Sequence, residues 1–353
     1  MTAEQELLHR EAWSVGARGR LTIEDIAEHF GLSKATVSRA LSGKGRISEK
    51  TTAEICQYAE QNGYQSPKER KNGMETADEN HSRNIAVIVP DDMLQESAYF
   101  SQCLLGIAES VSRADFDVIT AVTTLYGVDR LQKILEEGKA DGVILMRVVQ
   151  NDNNVTMLQR RGVPFVEIGS SGNDAYQVDV NTRMAVRELT SHILISGYRK
   201  LAFIGGRESF EVNRQRFAGF EEAVVSYQGS FDQSLFYGNV ISPETCRQAL
   251  ESILLRGVDA VVCGDDVQCH WALDVLTMKG ISIPDELAVA SCYNNVYLDN
   301  HTPPVTAIDI DAHAEGIVAG QTMINILQGV QKEKKVQVPY NIQLRQSTRS
   351  RQR

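Results

Sequence analysis

Between positions 34 and 50 the chain gathers Lys34, Arg39, Lys44, Arg46 and Lys50 against Glu49 alone, although its formal net charge is −10. A basic island in an acidic protein suits contact with phosphate. Interleaved with the cations are Ala35, Thr36 and Ser38. Lys and Arg can reach phosphates or the acceptors on the guanine edge, while small Ala and Thr side chains allow close approach to thymine methyls. The chemistry offered is DNA reading, with Thr22 and Ser33 at helix starts, and Lys44 and Arg46 just downstream, as further DNA-facing residues. A merely solvated charged face is the ordinary explanation of charge on a helix. Its concentration in one short segment of an acidic chain argues against that explanation here.

The elements that would hold these side chains are legible around them. Thr22 can cap a first helix with Asp25 three residues on, and Ile26, Ala27 and Phe30 fall on one face. Gly31 follows, where a left-handed backbone costs little, and Ser33 offers a hydroxyl to cap KATVSRAL. In that second helix Val37, Ala40 and Leu41 point inward, leaving Lys34, Ala35, Thr36, Ser38 and Arg39 at the outer face and the first turn. Helix N-termini favour phosphate. A third helix is expected from Ser48 to Gly63. The pattern is a helix-turn-helix whose second helix enters a major groove.

With 353 residues, 42% hydrophobic and 23% charged, the chain can build two or three domains with real cores. It has no apolar run of membrane-spanning length, and its charged start MTAEQELLHREAW lacks a signal-like apolar stretch, so no membrane and a cytoplasmic location are expected. Six cysteines without a CxxC pair read as buried free thiols. Residues 1–20 form an extension, 21–64 the helix-turn-helix domain, 65–82 a polar linker, 83–348 a core, and 349–353 a basic tail. From Arg83 on, β-branched strands such as NIAVIVP, DGVILM, KLAFIGG and AVVCG alternate with amphipathic helices. That rhythm predicts an α/β core of two doubly wound lobes facing across a cleft, with a small ligand beyond the carboxyl ends of the strands. GxSxG, P-loop, GxGxxG and HExxH patterns are all missing, so no enzyme, cofactor or metal is expected. The rivals are an α/β enzyme and a sugar-binding protein, each with an accessory helical domain. Trp271 reads as packing, and the histidines at 192, 270, 301 and 313 have no suggestive neighbours.

SKATVSRALSGKGRISEKT, GYRKLAFIGG, RFAGFEEAV, GISIPDELAVAS and PPVTAIDID follow one another in an order that resembles the LacI-GalR family of bacterial transcription regulators, from Leu21 to about Thr348. The resemblance implies a homodimer on a palindromic operator, most often a repressor of carbohydrate-use genes. It also implies a periplasmic-binding-protein-like core whose small effector, a sugar or sugar phosphate, changes DNA affinity. A phosphocarrier coregulator is known for some relatives. The tail RQSTRSRQR has no apolar heptad, which favours a dimer over a coiled-coil tetramer. Carried over by position, Arg216 matches an arginine that clamps sugar hydroxyls, and Asp265 matches an acceptor at a strand end that could equally just cap a helix. Tyr293 and Asn294 stand where an aspartate pair is common, which suits a neutral polyol and is similar to regulators of maltose-type sugars. Asp91, Asp92 and Tyr99 follow the first strand and are expected to form the opposite wall.

The linker departs from the family pattern. Where relatives carry a short helix with a leucine wedge for the minor groove, this chain has QSPKERKNGM, with Gly73 at the leucine's position and Met74 beside it. Lys68 and Arg70 are expected to meet phosphates, and the hinge either to fold poorly or to insert Met74 in the wedge's place, so that operator bending and the coupling that depends on it are weaker or differently made.

Overall fold

The computed structural model describes residues 23–41, 48–61, 82–90, 97–124, 127–172 and 174–350. Several expected site residues, namely Thr22, Lys44, Arg46, Lys68, Arg70, Met74, Asp91 and Asp92, lie outside them. The chain divides into two compact units, Met1–Asn80 and His81–Arg353.

In the first unit, α1 (Ile23–Phe30), α2 (Lys34–Leu41) and α3 (Glu49–Gln61) pack around Ile26, Val37 and Ile55, all fully buried. Gly31 takes φ +63° at the turn between α1 and α2, which a glycine adopts without steric cost. Tyr58 stacks on His29 at 4.0 Å and meets Phe30 edge-on at 5.5 Å, which ties α3 to α1. Ser48 caps α3 rather than opening it, its Oγ accepting from Thr51 N at 3.2 Å.

The second unit holds two six-stranded sheets. The first lobe comprises β1 (Asn84–Pro90), β2 (Asp117–Thr123), β3 (Gly142–Leu145), β4 (Phe165–Ile168), β5 (Tyr176–Asp179) and β11 (Lys335–Gln337), in the order β11-β5-β4-β3-β1-β2, all parallel. The second comprises β6 (Leu201–Ile204), β7 (Phe236–Tyr237), β8 (Ala260–Cys263), β9 (Ala288–Ser291), β10 (Thr306–Asp309) and β12 (Asn341–Gln343), in the order β12-β10-β9-β8-β6-β7, with β12 antiparallel. The run Ile85–Val89 is buried on both faces, as a central parallel strand requires. Helices α4 (Ala98–Ser112), α5 (Asp129–Glu136) and α6 (Asn153–Arg161) cover the first sheet. The second carries α7 (Thr182–Ile195), α8 (Glu211–Gln228), α9 (Pro243–Leu255), α10 (Asp266–Met278) and α11 (Val296–Asn300).

The lobes are not two consecutive halves of the chain. After β5 the chain crosses into α7 of the second lobe, after β10 it returns as α12 (Ala312–Leu327) against α4 of the first, and β11 leads across again to β12. Each crossing helix sits close to its partner. A Cβ on Gly106 of α4 would stand 2.1 Å from the His313 carbonyl oxygen, and one on Gly219 of α8 would stand 2.2 Å from that of Arg183. Five of the six cysteines are buried and all are free, while Trp271 packs on the second-lobe core. No helix among the described residues is long and apolar enough to cross a membrane.

Candidate DNA-reading head and effector cavity

In the head, the apolar stripe of α2 settles which residues face outward. Val37 and Ala40 are consumed by the three-helix core, so Lys34, Ala35, Ser38 and Arg39 are exposed and Thr36 is half-buried. Ser33 is the N-terminal brace: its Oγ accepts from Thr36 N at 3.2 Å and lies 2.9 Å from the Thr36 hydroxyl. The first turn of α2 carries no acidic residue. Its partial positive charge therefore meets no carboxylate from its own helix, as a phosphate-facing helix start should.

The second unit encloses a cavity of about 180 Å³ beyond the carboxyl ends of strands from both sheets. Tyr99, Arg216, Asp265 and Tyr293 all line it, so the structure gathers four residues drawn from four separate stretches of sequence. Arg216 projects from α8, its Nη1 donating to Asn213 Oδ1 at 3.1 Å and lying 3.8 Å from Asp265 Oδ2. Its Nε is buried and has no hydrogen-bond acceptor among the described residues. Asp265 takes the capping role and keeps its second oxygen towards Arg216. Its Oδ1 caps α10, accepting from Val267 N and Gln268 N at 3.0 Å each, while Oδ2 faces the arginine. The cap fixes the carboxylate's rotamer, so a structural role here serves the placing of a polar group.

On the opposite wall Tyr99 enters from the first turn of α4, which Ser97 caps. Its hydroxyl donates to Glu315 Oε2 at 3.0 Å, and its ring meets Tyr293 edge-on at 5.6 Å. The two aromatics thus join first-lobe α4 to the loop after second-lobe β9. Asn294 is placed differently from the expectation. It does not line the cavity: its Nδ2 donates to Asp299 and Asp309 at 3.1 and 3.3 Å, and its Oδ1 accepts from Arg345 Nη1 at 3.0 Å. The side chain is spent on anchoring the loop, and its neighbour Tyr293 is the one turned inward.

Three further carboxyls line the cavity that sequence reading passed over: Asp179, Asp266 and Glu315. Burial raises each above the ordinary carboxyl range, Asp179 to about 7, Asp266 to about 6 with the Asp265 charge adding, and Glu315 to about 8. Asp266 was signalled by the doublet in CGDDV. Asp179 and Glu315 had no such signal, because β5 and α12 were not placed by hydrophobic pattern and only the lobe crossings bring them to the cleft.

Residues 22–66 match the pattern described as bacterial regulatory proteins, lacI family, and residues 190–348 match the periplasmic binding protein-like domain. The chain joins a lacI-family helix-turn-helix domain to a periplasmic-binding-protein-like domain. The HTH-type transcriptional regulator CelR of Thermobifida fusca is 24% identical over 322 residues, covering 88% of this chain and 93% of that protein. The HTH-type transcriptional regulator MalR of Staphylococcus xylosus is 26% identical over 318 residues, covering 88% and 92%. Among solved structures, a CelR–cellobiose complex shares the fold with a TM-score of 0.69 at 23% identity, covering 93% of this chain and all of that one. The Lac repressor dimer bound to operator and the anti-inducer ONPF gives 0.69 at 18%, covering 94% and 100%. With that helix-turn-helix domain and relatives that are transcriptional regulators along most of its length, this chain is a DNA-binding transcription regulator and not an enzyme.

Proposed function

We propose that this regulator is a repressor of carbohydrate-use genes which binds a palindromic operator as a homodimer in the cytoplasm. A small sugar in the cavity of the His81–Arg353 unit sets its affinity. The observation that carries the reading is the pairing of an exposed, cation-bearing α2 with a cavity walled by both lobes of the second unit, mostly apolar and set with a few polar side chains. In the head, Ser33, Lys34, Ala35, Thr36, Ser38 and Arg39 are the reading residues; in the cavity, Arg216, Asp265, Tyr99 and Tyr293 hold the ligand. Arg216 supplies the planar donor fork that two neighbouring hydroxyls can share, and its unpartnered Nε leaves a donor in hand. The two tyrosines supply apolar faces against which a sugar ring can lie. Solved structures described as a CelR–cellobiose complex and as a probable maltose operon transcriptional repressor support a gluco-configured mono- or disaccharide. The sugar would act by differential affinity: binding one lobe closure better than the other shifts the population, and DNA affinity follows. The reading needs no phosphocarrier coregulator. Selecting genomic fragments with the purified protein tests it. A palindromic site bound in the nanomolar range is expected, and weak, salt-sensitive, sequence-blind binding would overturn it.

A further inference from the structure

The two lobes also touch through their backbones. Val149, in the segment after β3, forms an isolated antiparallel bridge with Phe210 at the start of α8, and Glu211 N donates to Val148 O at 3.0 Å. The chain's three crossings run through β5, β10, β11 and β12, the first two strands in each sheet order, whereas β3 stands fourth in its sheet and β6, which leads to Phe210, fifth in the other. The bridge thus lies away from the hinge, where a given rotation of the lobes separates them most. It is also part of the cavity wall, since Val148, Phe210 and Val212 all line that space.

Each side is shaped for the contact. Phe210 holds the cap position of α8, where an aromatic ring offers the first turn no acceptor. In the same lobe Asn181, Ser242, Asp265 and Asn295 cap α7, α9, α10 and α11 with their side chains. The first amide of α8 is instead met from across the cleft. On the first lobe Val148 is seated against Gly169, where φ is +117° and a Cβ would stand 3.2 Å from Val148 Cγ2. Val149 and Phe210 are only 2% and 4% exposed. Parting the lobes here wets both side chains and returns one donor and one acceptor to water, so the hydrogen bond contributes only its modest net strength. A contact of that size can be made and broken by the differential affinity of a ligand.

We propose that the Val148–Glu211 bridge is the latch of the effector cleft: it holds the two lobes closed over the cavity and parts when they open about the crossings. Its strength sets the resting ratio of open to closed lobes on which an effector acts. The proposal goes beyond the sugar reading and holds for an effector of any chemistry.

Glu211→Pro removes the donor and spares the helix. Proline is accepted at the first helical position, and Phe210 already holds the extended backbone, φ −83° and ψ 128°, that a residue before proline needs. Glu211→Ala is the control, because it keeps the N–H and loses the same side-chain bonds to Arg214 and Gln215. Each is made in a chain that also carries Val149→Cys, whose thiol is covered while the bridge is made. The full chain, without any ligand, is pulsed with iodoacetamide and read by mass spectrometry cysteine by cysteine. The new thiol is expected to react about three- to tenfold faster in the proline variant than in the alanine one, the scale of one net hydrogen bond. Cys103 and Cys263, fully buried one in each lobe, should keep their rates. Equal rates at position 149, or a rise shared equally by Cys103 and Cys263, would overturn the proposal. A second variant tests the bridge without the proline. Val149→Cys with Phe210→Cys places two thiols at facing positions of an antiparallel pair, within disulfide reach. The disulfide is expected to close within one chain under mild oxidant, and failure to close would also overturn the latch. No sugar enters either measurement, so both outcomes are independent of the sugar-effector reading.

Discussion

Arg216 and Glu315 are the two side chains whose replacement says most about the sensor. Arg216→Ala removes the donor fork facing Asp265 while leaving the Asp265 cap on α10 intact, so the domain should fold and effector affinity should fall by about tenfold or more. Calorimetry on the variant checks this, and Arg216→Lys should rescue little, since a lysine cannot reproduce the planar fork. Glu315 yields a pH signature. Its carboxyl is raised from the ordinary 4.5 to about 8, first by burial and then by the Asp179 charge, against the lowering effect of the Tyr99 hydrogen bond. Between those values the folded state keeps a proton that the unfolded chain has released, so stability is fully present below the lower value and is lost as pH rises towards the upper. Asp179, raised from 3.8 to about 7, acts in the same direction over its own window. Glu315→Gln should therefore gain stability over the parent at pH 9, on the order of a few kcal/mol, and the gain should shrink at pH 5. Denaturant unfolding at the two pH values reads it, and an equal difference at both would mean that Glu315 is ionised throughout.

Among the elements, α2 and the crossing helix α12 make contrasting demands. Exposed residues of α2 can be changed without touching the head's core. Lys34→Ala should leave the unfolding transition in place and lower the slope of log affinity against log salt by about one, as loss of one phosphate contact does. Arg39→Ala should weaken selected DNA more than random DNA if its guanidinium reads a base. A binding assay on both DNAs at several salt concentrations separates the two roles. For α12 the constraint is steric. Gly106→Ala would press a methyl carbon against the backbone of His313, so α4 and α12 must separate, with a loss of about 1–3 kcal/mol or more. A melting temperature indistinguishable from the parent's would show that the two helices tolerate more spacing than their glycines imply.

At the scale of the whole molecule, sequence and structure agree most closely where a residue's job is local. The α2 stripe, the Ser33 brace, the Gly31 turn and the central strands could be read because each depends on neighbours within a few positions. The cavity was readable only in part. Arg216, Asp265 and Tyr293 were reached through positional resemblance, and Tyr99 through its place after the first strand. Asp179 and Glu315 went unseen because they meet the cavity only once β5 and α12 cross between lobes, a long-range arrangement that no local pattern encodes. The same reasoning explains Asn294, whose neighbour in sequence faces the ligand space while its own amide is drawn to Arg345, fifty-one positions away.

The proposed function requires coupling between the effector cavity and the DNA-reading head on one chain. The most direct test is the affinity of the full protein for its selected operator, measured by fluorescence anisotropy with and without the sugar it binds best, in the parent and in Arg216→Ala. The account predicts that the sugar shifts the parent's operator affinity by about tenfold or more and leaves that of the variant unmoved at the same sugar concentration. An equal shift in both proteins, or none in the parent, would contradict it.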